Sequence, residues 1–130
     1  MRPTILICDD EDCVRSLVRA TLARGDYELI EARDGVEAVE VAAAERPHLV
    51  LLDMMMPGRT GVEVLEQLRG DPALAATPVI MLTARTQEND RAAANDAGAT
   101  VFLPKPFSPS ELAALVEKTL EPRPVMSLAS

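Results

Sequence analysis

Aromatic residues are almost missing from this chain: of 130 residues, one is tyrosine, two are phenylalanine and none is tryptophan. Any core must therefore be built from Val, Leu, Ile, Ala and Met. Cysteine is also scarce. Cys8 and Cys13 are too few for a disulfide scaffold, and both read as small core or near-core residues, one ending an apolar strand and one near a helix start. Their spacing does not supply the four close ligands of a structural zinc site. A basic excess is lacking too, because 13 Lys and Arg stand against 21 Asp and Glu, a net charge of −8. That balance argues against direct binding to nucleic acid or to an anionic membrane. It suits a basic protein partner, a divalent cation, or simply a soluble acidic surface. Long apolar runs are absent. The N-terminal run Ile5-Leu6-Ile7-Cys8 falls far short of a secretory signal core or of the roughly 20 residues of a membrane span. A cytoplasmic location is expected.

What is present fits one soluble globular domain, with 48% apolar and 26% charged residues and enough length for a single core. Short apolar runs alternate with amphipathic stretches. Thr4 to Cys8, Tyr27 to Glu31, Leu49 to Leu52, Val79 to Leu82 and Thr100 to Leu103 read as strands. Asp12 to Arg24 reads as a helix with Val14, Leu17, Val18, Thr21 and Leu22 inward. A second starts at Asp34-Gly35, with Val36, Val39 and Ala43 inward, and ends before Pro47. Val62, Leu65 and Leu68 mark a third, stopped at Gly70-Asp71-Pro72. Gln87 to Ala97 is helical but weakly apolar, so it should dock shallowly and be the most adjustable element. Ser108-Pro109-Ser110-Glu111 opens a last helix with a capping box, and Leu112, Leu115, Val116 and Leu120 form its inner stripe. Strict alternation with short connections predicts an α/β fold, a doubly wound parallel sheet of five strands with helices on both faces. Residues 1–120 are expected to form the domain, and 121–130 a tail or the start of a linker.

The reactive residues fall where strands should end. Asp9 and Asp10 close the first, Asp53 the third and Thr83 the fourth, and Lys105 follows the fifth. In open α/β sheets ligands bind outside the carboxyl ends of the strands. The acids Asp9 to Asp12 alone are equally compatible with a solvated turn carrying an N-cap carboxylate. Asp53 beside them changes the balance, because crowded carboxylates repel unless they share a cation. A hard ion with few protein ligands suits Mg²⁺ better than Zn²⁺ or Cu²⁺. A carboxylate such as Asp53 can attack phosphorus to form an aspartyl phosphate. Lys105 and Mg²⁺ would neutralise the incoming charge, and the Thr83 hydroxyl would donate to a phosphate oxygen. Lys105 lies between Pro104 and Pro106, and a cis bond at Pro106 is expected to aim it inward, against the alternative of an exposed turn lysine. The only histidine, His48, starts the third strand and should lie far from the site.

These residues together resemble a known family. The acid pair after a first strand, Asp-x-x-Met-Pro-x-x-x-Gly from Asp53 to Gly61, Thr83-Ala84 and Lys105-Pro106 are similar to the receiver domain of two-component response regulators. Thr83 follows Asp53 by 30 residues and Lys105 follows Thr83 by 22, intervals that agree with that family. The resemblance runs from residue 4 to about 120. It implies a flavodoxin-like strand order 2-1-3-4-5 and Asp53 as acceptor of phosphate from a sensor histidine kinase or phosphotransfer protein. It implies Mg²⁺ ligated by Asp10, Asp53 and the backbone carbonyl of Met55, with Asp9 acting largely through water. Thr83 and Phe102 would be a switch pair, Phe102 keeping the ring but lacking the hydroxyl of the tyrosine many relatives carry. Ala84 leaves room for phosphate access. The face formed by residues 84–120 would bind a downstream target or output domain, or pair with a second copy on phosphorylation.

Met55 and Arg85 lie two residues beyond Asp53 and Thr83. An apolar Met55 would not orient an attacking water, which predicts slow self-dephosphorylation; mere loop packing is the other reading. No external substrate is expected to be turned over. Two competing readings are a phosphorylation-independent interaction module of the same fold and a haloacid-dehalogenase-like phosphatase. The first would normally lose Asp53, Lys105 or the acid pair, and the second usually wants an Asp where Met55 stands.

Overall fold

The computed structural model describes residues 2–84 and 88–120. Five strands alternate with five helices: β1 (Thr4–Cys8), α1 (Asp12–Leu22), β2 (Glu28–Ala32), α2 (Gly35–Glu45), β3 (Leu49–Asp53), α3 (Gly61–Gly70), β4 (Val79–Ala84), α4 (Glu88–Asp96), β5 (Val101–Lys105) and α5 (Pro109–Leu120). The strands form one parallel sheet in the order β2-β1-β3-β4-β5. The order reverses at β1, so the carboxyl ends of β1 and β3 flank the crevice where such sheets bind ligands.

Side chains alternate across the sheet and divide the core in two. Ile5, Ile7, Leu49, Leu51, Ile80, Leu82 and Leu103 face α1 and α5, where Val18, Leu22, Leu112 and Val116 cover them. Leu6, Cys8, Val50, Leu52, Val79 and Met81 face α2, α3 and α4, packed by Ala38, Ala42, Val64, Leu65, Leu68 and Ala94. The central strands β1 and β3 are buried on both faces, which is why they read as continuous apolar runs.

Several helix faces differ from the periodicity reading. In α1 the inward stripe is Arg15, Val18 and Leu22, while Leu17 is 43% exposed and Cys13 is exposed. Leu17 instead joins Val14, Pro106 and Phe107 along an apolar groove beside Lys105. In α2 the buried residues are Gly35, Ala38 and Ala42, with Val36 and Ala43 exposed. At the start of α2 the backbone comes close to the loop before α3: a Cβ on Gly35 would lie 2.4 Å from the Arg59 carbonyl oxygen. Val64 and Leu74 are buried core residues that the spacing did not single out. β2 begins and ends one residue later than expected, with Glu28 paired to Thr4.

Capping follows the local chemistry. The Thr60 hydroxyl accepts from Glu63 N while the Glu63 carboxylate accepts from Thr60 N, and Ser108 and Glu111 do the same at the start of α5. Asp34 caps α2 by accepting from Glu37 N. In α4, Ala94 is buried whereas Ala92, Ala93, Asn95 and Asp96 are exposed, the shallow docking expected of its composition. Arg85, Gln87 and the tail from 121 to 130 lie outside the described residues. No helix among the described residues is long and apolar enough to cross a membrane.

Candidate functional site

Strand parity assembles the site. Asp9, Asp53 and Lys105 each stand an even number of residues beyond an inward residue of the α1/α5 face (Ile7, Leu51 and Leu103). All three therefore emerge on that side at the carboxyl end of the sheet. Lys105 Nζ donates to Asp9 Oδ2 at 2.9 Å and to Asp53 Oδ1 at 3.2 Å. Glu11 Oε1 lies 3.8 Å from the same ammonium. The Lys105–Pro106 peptide bond is cis, as the flanking prolines suggested.

Asp9 is fully buried and held at every polar atom. Its N donates to Ala32 O, Oδ1 accepts from Glu11 N, and Oδ2 accepts from Lys105. Its carbonyl accepts from Arg15 Nη1 at 2.6 Å. The solvated-turn alternative thus fails for Asp9 but describes Asp10, Glu11 and Asp12, which are exposed. Glu11 is the N-cap of α1, and its side chain makes no capping hydrogen bond.

One carboxylate oxygen from each of Asp9, Asp10 and Asp53 can be chosen so that all three lie within 4.8 Å of one another. Three hard oxygen donors with no sulfur or imidazole fit a Mg²⁺-like ion. Burial, with the neighbouring carboxylates, pushes the Asp53 carboxyl up from 3.8 to about 6. Burial contributes most, then the Asp9 charge, with Lys105 pulling the other way and Asp10 adding to the rise. Burial alone would lower the Lys105 ammonium, but Asp9 and Asp53 outweigh it and its affinity for the proton rises.

The remaining expected residues take distinct places. Thr83 is buried at the end of β4, in register with Pro104, and faces away from the Asp53 side of the sheet. Phe102, in register with Met81, is half-buried against the α4 side, so it shares a sheet face with Thr83 one strand away. Met55 leaves the sheet and is 56% exposed. His48 sits at the opposite end of β3, where its Nδ1 accepts from Thr4 N. Gly61 brings α3 against the site strand, since a Cβ there would lie 2.4 Å from Asp53 O.

Arg15 and Glu31 are the neighbours of the site that the sequence reading missed. Arg15 Nε donates to Glu31 Oε1 at 3.1 Å and Nη2 pairs with Asp12. The signal was a charged residue in step with the buried stripe Val18 and Leu22, matched by an acid on the α1 side of β2.

Residues 5–117 match the response regulator receiver domain family. The alkaline phosphatase synthesis transcriptional regulatory protein PhoP of Bacillus subtilis (strain 168) is 40% identical over 120 residues, which cover 92% of this chain and 49% of PhoP. The chain thus spans about half the length of the curated relatives it matches. Among solved structures, the chemotaxis response regulator CheY4 of Vibrio cholerae superposes with a TM-score of 0.87 at 32% identity, covering 92% of this chain and all (100%) of that one. The receiver domain of sensor histidine kinase PA1611 from Pseudomonas aeruginosa PAO1, solved with a magnesium ion coordinated in its active site cleft, gives 0.85 at 27% identity over 92% of this chain and 98% of its own. By family match, by relatives and by fold, the chain belongs to the receiver domains of two-component response regulators.

Proposed function

We propose that this receiver domain accepts a phosphoryl group on Asp53 and thereby changes the face formed by residues 84–120. The observation that carries the reading is the Lys105 ammonium bonded to both Asp9 and Asp53 beside a third carboxylate within 4.8 Å. This is an anionic pocket already organised around positive charge. Asp9, Asp10, Asp53 and the backbone carbonyl of Met55 would hold Mg²⁺. When bound, that ion supplies the charge neutralisation that an anionic nucleophile needs to approach a phosphoryl group.

The chain's own residues do the rest. An Asp53 oxygen forms a bond to phosphorus as the bond from phosphorus to the donor's leaving group breaks. With a carboxyl titrating at about 6 even before a cation binds, Asp53 is mostly ionised at neutral pH and needs no base. Lys105 is a point charge placed to follow the new phosphoryl oxygens, and the Thr83 hydroxyl is the candidate donor from β4. Movement of Thr83 toward the phosphoryl group would free space on the sheet face it shares with Phe102, and the ring would turn inward.

In this reading the donor is a sensor histidine kinase or a phosphotransfer protein, and the product surface engages a downstream target, an output domain or a second copy. The domain modifies itself and turns over no external substrate. Its acidic surface makes no direct contact with nucleic acid or membrane, and its setting is the cytoplasm. Incubation with acetyl phosphate and Mg²⁺, followed by intact mass, tests the reading. One phosphoryl group should be gained by the wild type and none by Asp53→Asn or without Mg²⁺. No gain under any condition, with either acetyl phosphate or a histidine-phosphorylated donor, would favour the phosphorylation-independent interaction module.

A further inference from the structure

Arg15 does not touch Asp53, Asp10 or Lys105 in any described contact, yet it is nearly as buried as the core, with 8% of its side chain exposed. A buried guanidinium is costly unless each of its edges finds a partner. Here the fork is divided among three elements. Nε meets Glu31 Oε1 on β2, Nη2 meets Asp12 at the start of α1, and Nη1 meets the main-chain oxygen of Asp9 at 2.6 Å. Arg19 Nη1 donates to Glu31 Oε2 at 2.8 Å, so the carboxylate that anchors Arg15 is itself held.

The bond to Asp9 O matters because of what that carbonyl belongs to. The peptide plane containing it also contains the nitrogen and Cα of Asp10. Fixing the direction of Asp9 C=O therefore fixes where the backbone leaves Asp9 and where the exposed Asp10 side chain begins. The other atoms of Asp9 are committed to Ala32, Glu11 and Lys105. Arg15 supplies the remaining constraint, and it also ties the turn to α1 through its own N, which donates to Glu11 O at 3.1 Å.

We infer that Arg15, braced by Glu31, is a positioning residue that sets the placement of the Asp9-Asp10 pair and hence the affinity of the carboxylate cluster for Mg²⁺. The inference rests on the proposed reading of Asp9, Asp10 and Asp53 as the Mg²⁺-binding carboxylates. Lysine cannot replace arginine here, since a single ammonium cannot span Glu31, Asp12 and the Asp9 carbonyl in one planar fork. A purely structural role would cost stability in the metal-free protein and leave the cation affinity of the folded protein unchanged.

The test is calorimetric titration of Mg²⁺ into folded wild type, Arg15→Lys, Arg15→Met and Glu31→Gln, with urea unfolding of each in EDTA to establish the folded fraction. Arg15→Lys keeps the charge and Glu31→Gln keeps the Asp9 contact, so at least one variant remains available if Arg15→Met fails to fold. Neighbours that orient metal ligands are commonly worth about 10- to 100-fold in affinity. A Kd raised about 10-fold in Arg15→Lys, and by less in Glu31→Gln, is the expected result. Wild-type binding with a Kd unchanged within about twofold in Arg15→Lys would overturn the role of Arg15 while leaving the carboxylate site intact. Absence of binding by the wild type itself would overturn the site reading and this inference together.

Discussion

The Lys105 ammonium stands 3.2 Å from Asp53 Oδ1 although their strands are not neighbours, for β4 lies between β3 and β5. The side chain reaches across the end of β4 and joins the fifth strand to both the third and the first, through Asp53 and Asp9. One cation thus sits between two carboxylates, and at Asp53 it opposes the rise that burial and the Asp9 charge impose.

Removing that cation leaves the acids uncompensated. Lys105→Met should destabilise the metal-free protein by about 1–3 kcal/mol, the cost of stranding partly buried charge. Added Mg²⁺ should recover part of the loss by compensating the same oxygens. Because the Lys105 pKa is raised from 10.5, its contribution is fully present across the neutral range and fades only in strong alkali. Urea unfolding with EDTA and with Mg²⁺ measures both effects. Equal stability of variant and wild type in EDTA would mean the ion pairs are energetically idle.

The pH dependence of Asp53 has a definite sign. Its carboxyl lies at about 6 in the folded, metal-free state against 3.8 ordinarily. The folded state therefore holds this proton more tightly, and its contribution to stability is present below the lower value and lost as pH rises through the higher one. Asp53→Asn removes the penalty while Lys105 keeps Asp9 as a partner. In EDTA near pH 8 the variant should be more stable than wild type, on the order of 1–2 kcal/mol after allowance for solvent screening. The difference should close toward about pH 4. Mg²⁺ at pH 8 should narrow or reverse it. A gap that does not change with pH would contradict the titration assigned to Asp53.

Gly61 is where α3 meets the site. Its absent Cβ would come within 2.4 Å of Asp53 O and 2.9 Å of Met54 Cα, both backbone atoms. Gly61→Ala should cost at least about 1–3 kcal/mol, as overpacking generally does, because neither strand nor helix can yield without shifting Asp53. Phosphoryl acceptance should fall with it. Thermal unfolding together with intact mass after acetyl phosphate checks the pairing of the two losses.

Met55 is exposed two residues beyond Asp53, the proposed acceptor, and has no group to orient a water. Met55→Asn or Met55→Glu should shorten the lifetime of the phosphorylated protein by roughly 10-fold, less than the about 100-fold that a fully placed general base supplies. The decay of the phosphorylated mass after removal of donor gives the rate. An unchanged decay would assign Met55 to loop packing only.

The strands and the clustering of Asp9, Asp53 and Lys105 were legible in the sequence because both rest on simple rules. β1 and β3 are apolar on both faces, and a polar residue ending such a run must sit at a strand terminus, as Asp9 and Asp53 do. Helix faces were harder to read. In α2, Ala38 and Ala42 face the sheet while Val36 is exposed, because close packing selects for size rather than for hydrophobicity alone. Arg15 escaped notice for a related reason. Periodicity counts a charged residue as outward, and its inward direction is set by Glu31 and the Asp9 carbonyl, partners defined only once β1, β2 and α1 are together.

The most direct test of the central claim is to locate the phosphoryl group. Treating the acetyl phosphate product with borohydride reduces an acyl phosphate to a primary alcohol, which peptide mass mapping places on one residue. The account predicts reduction at Asp53 alone, dependent on Mg²⁺. Reduction at Asp9 or Asp10, or a phosphorylated protein in which Asp53 is untouched, would contradict it.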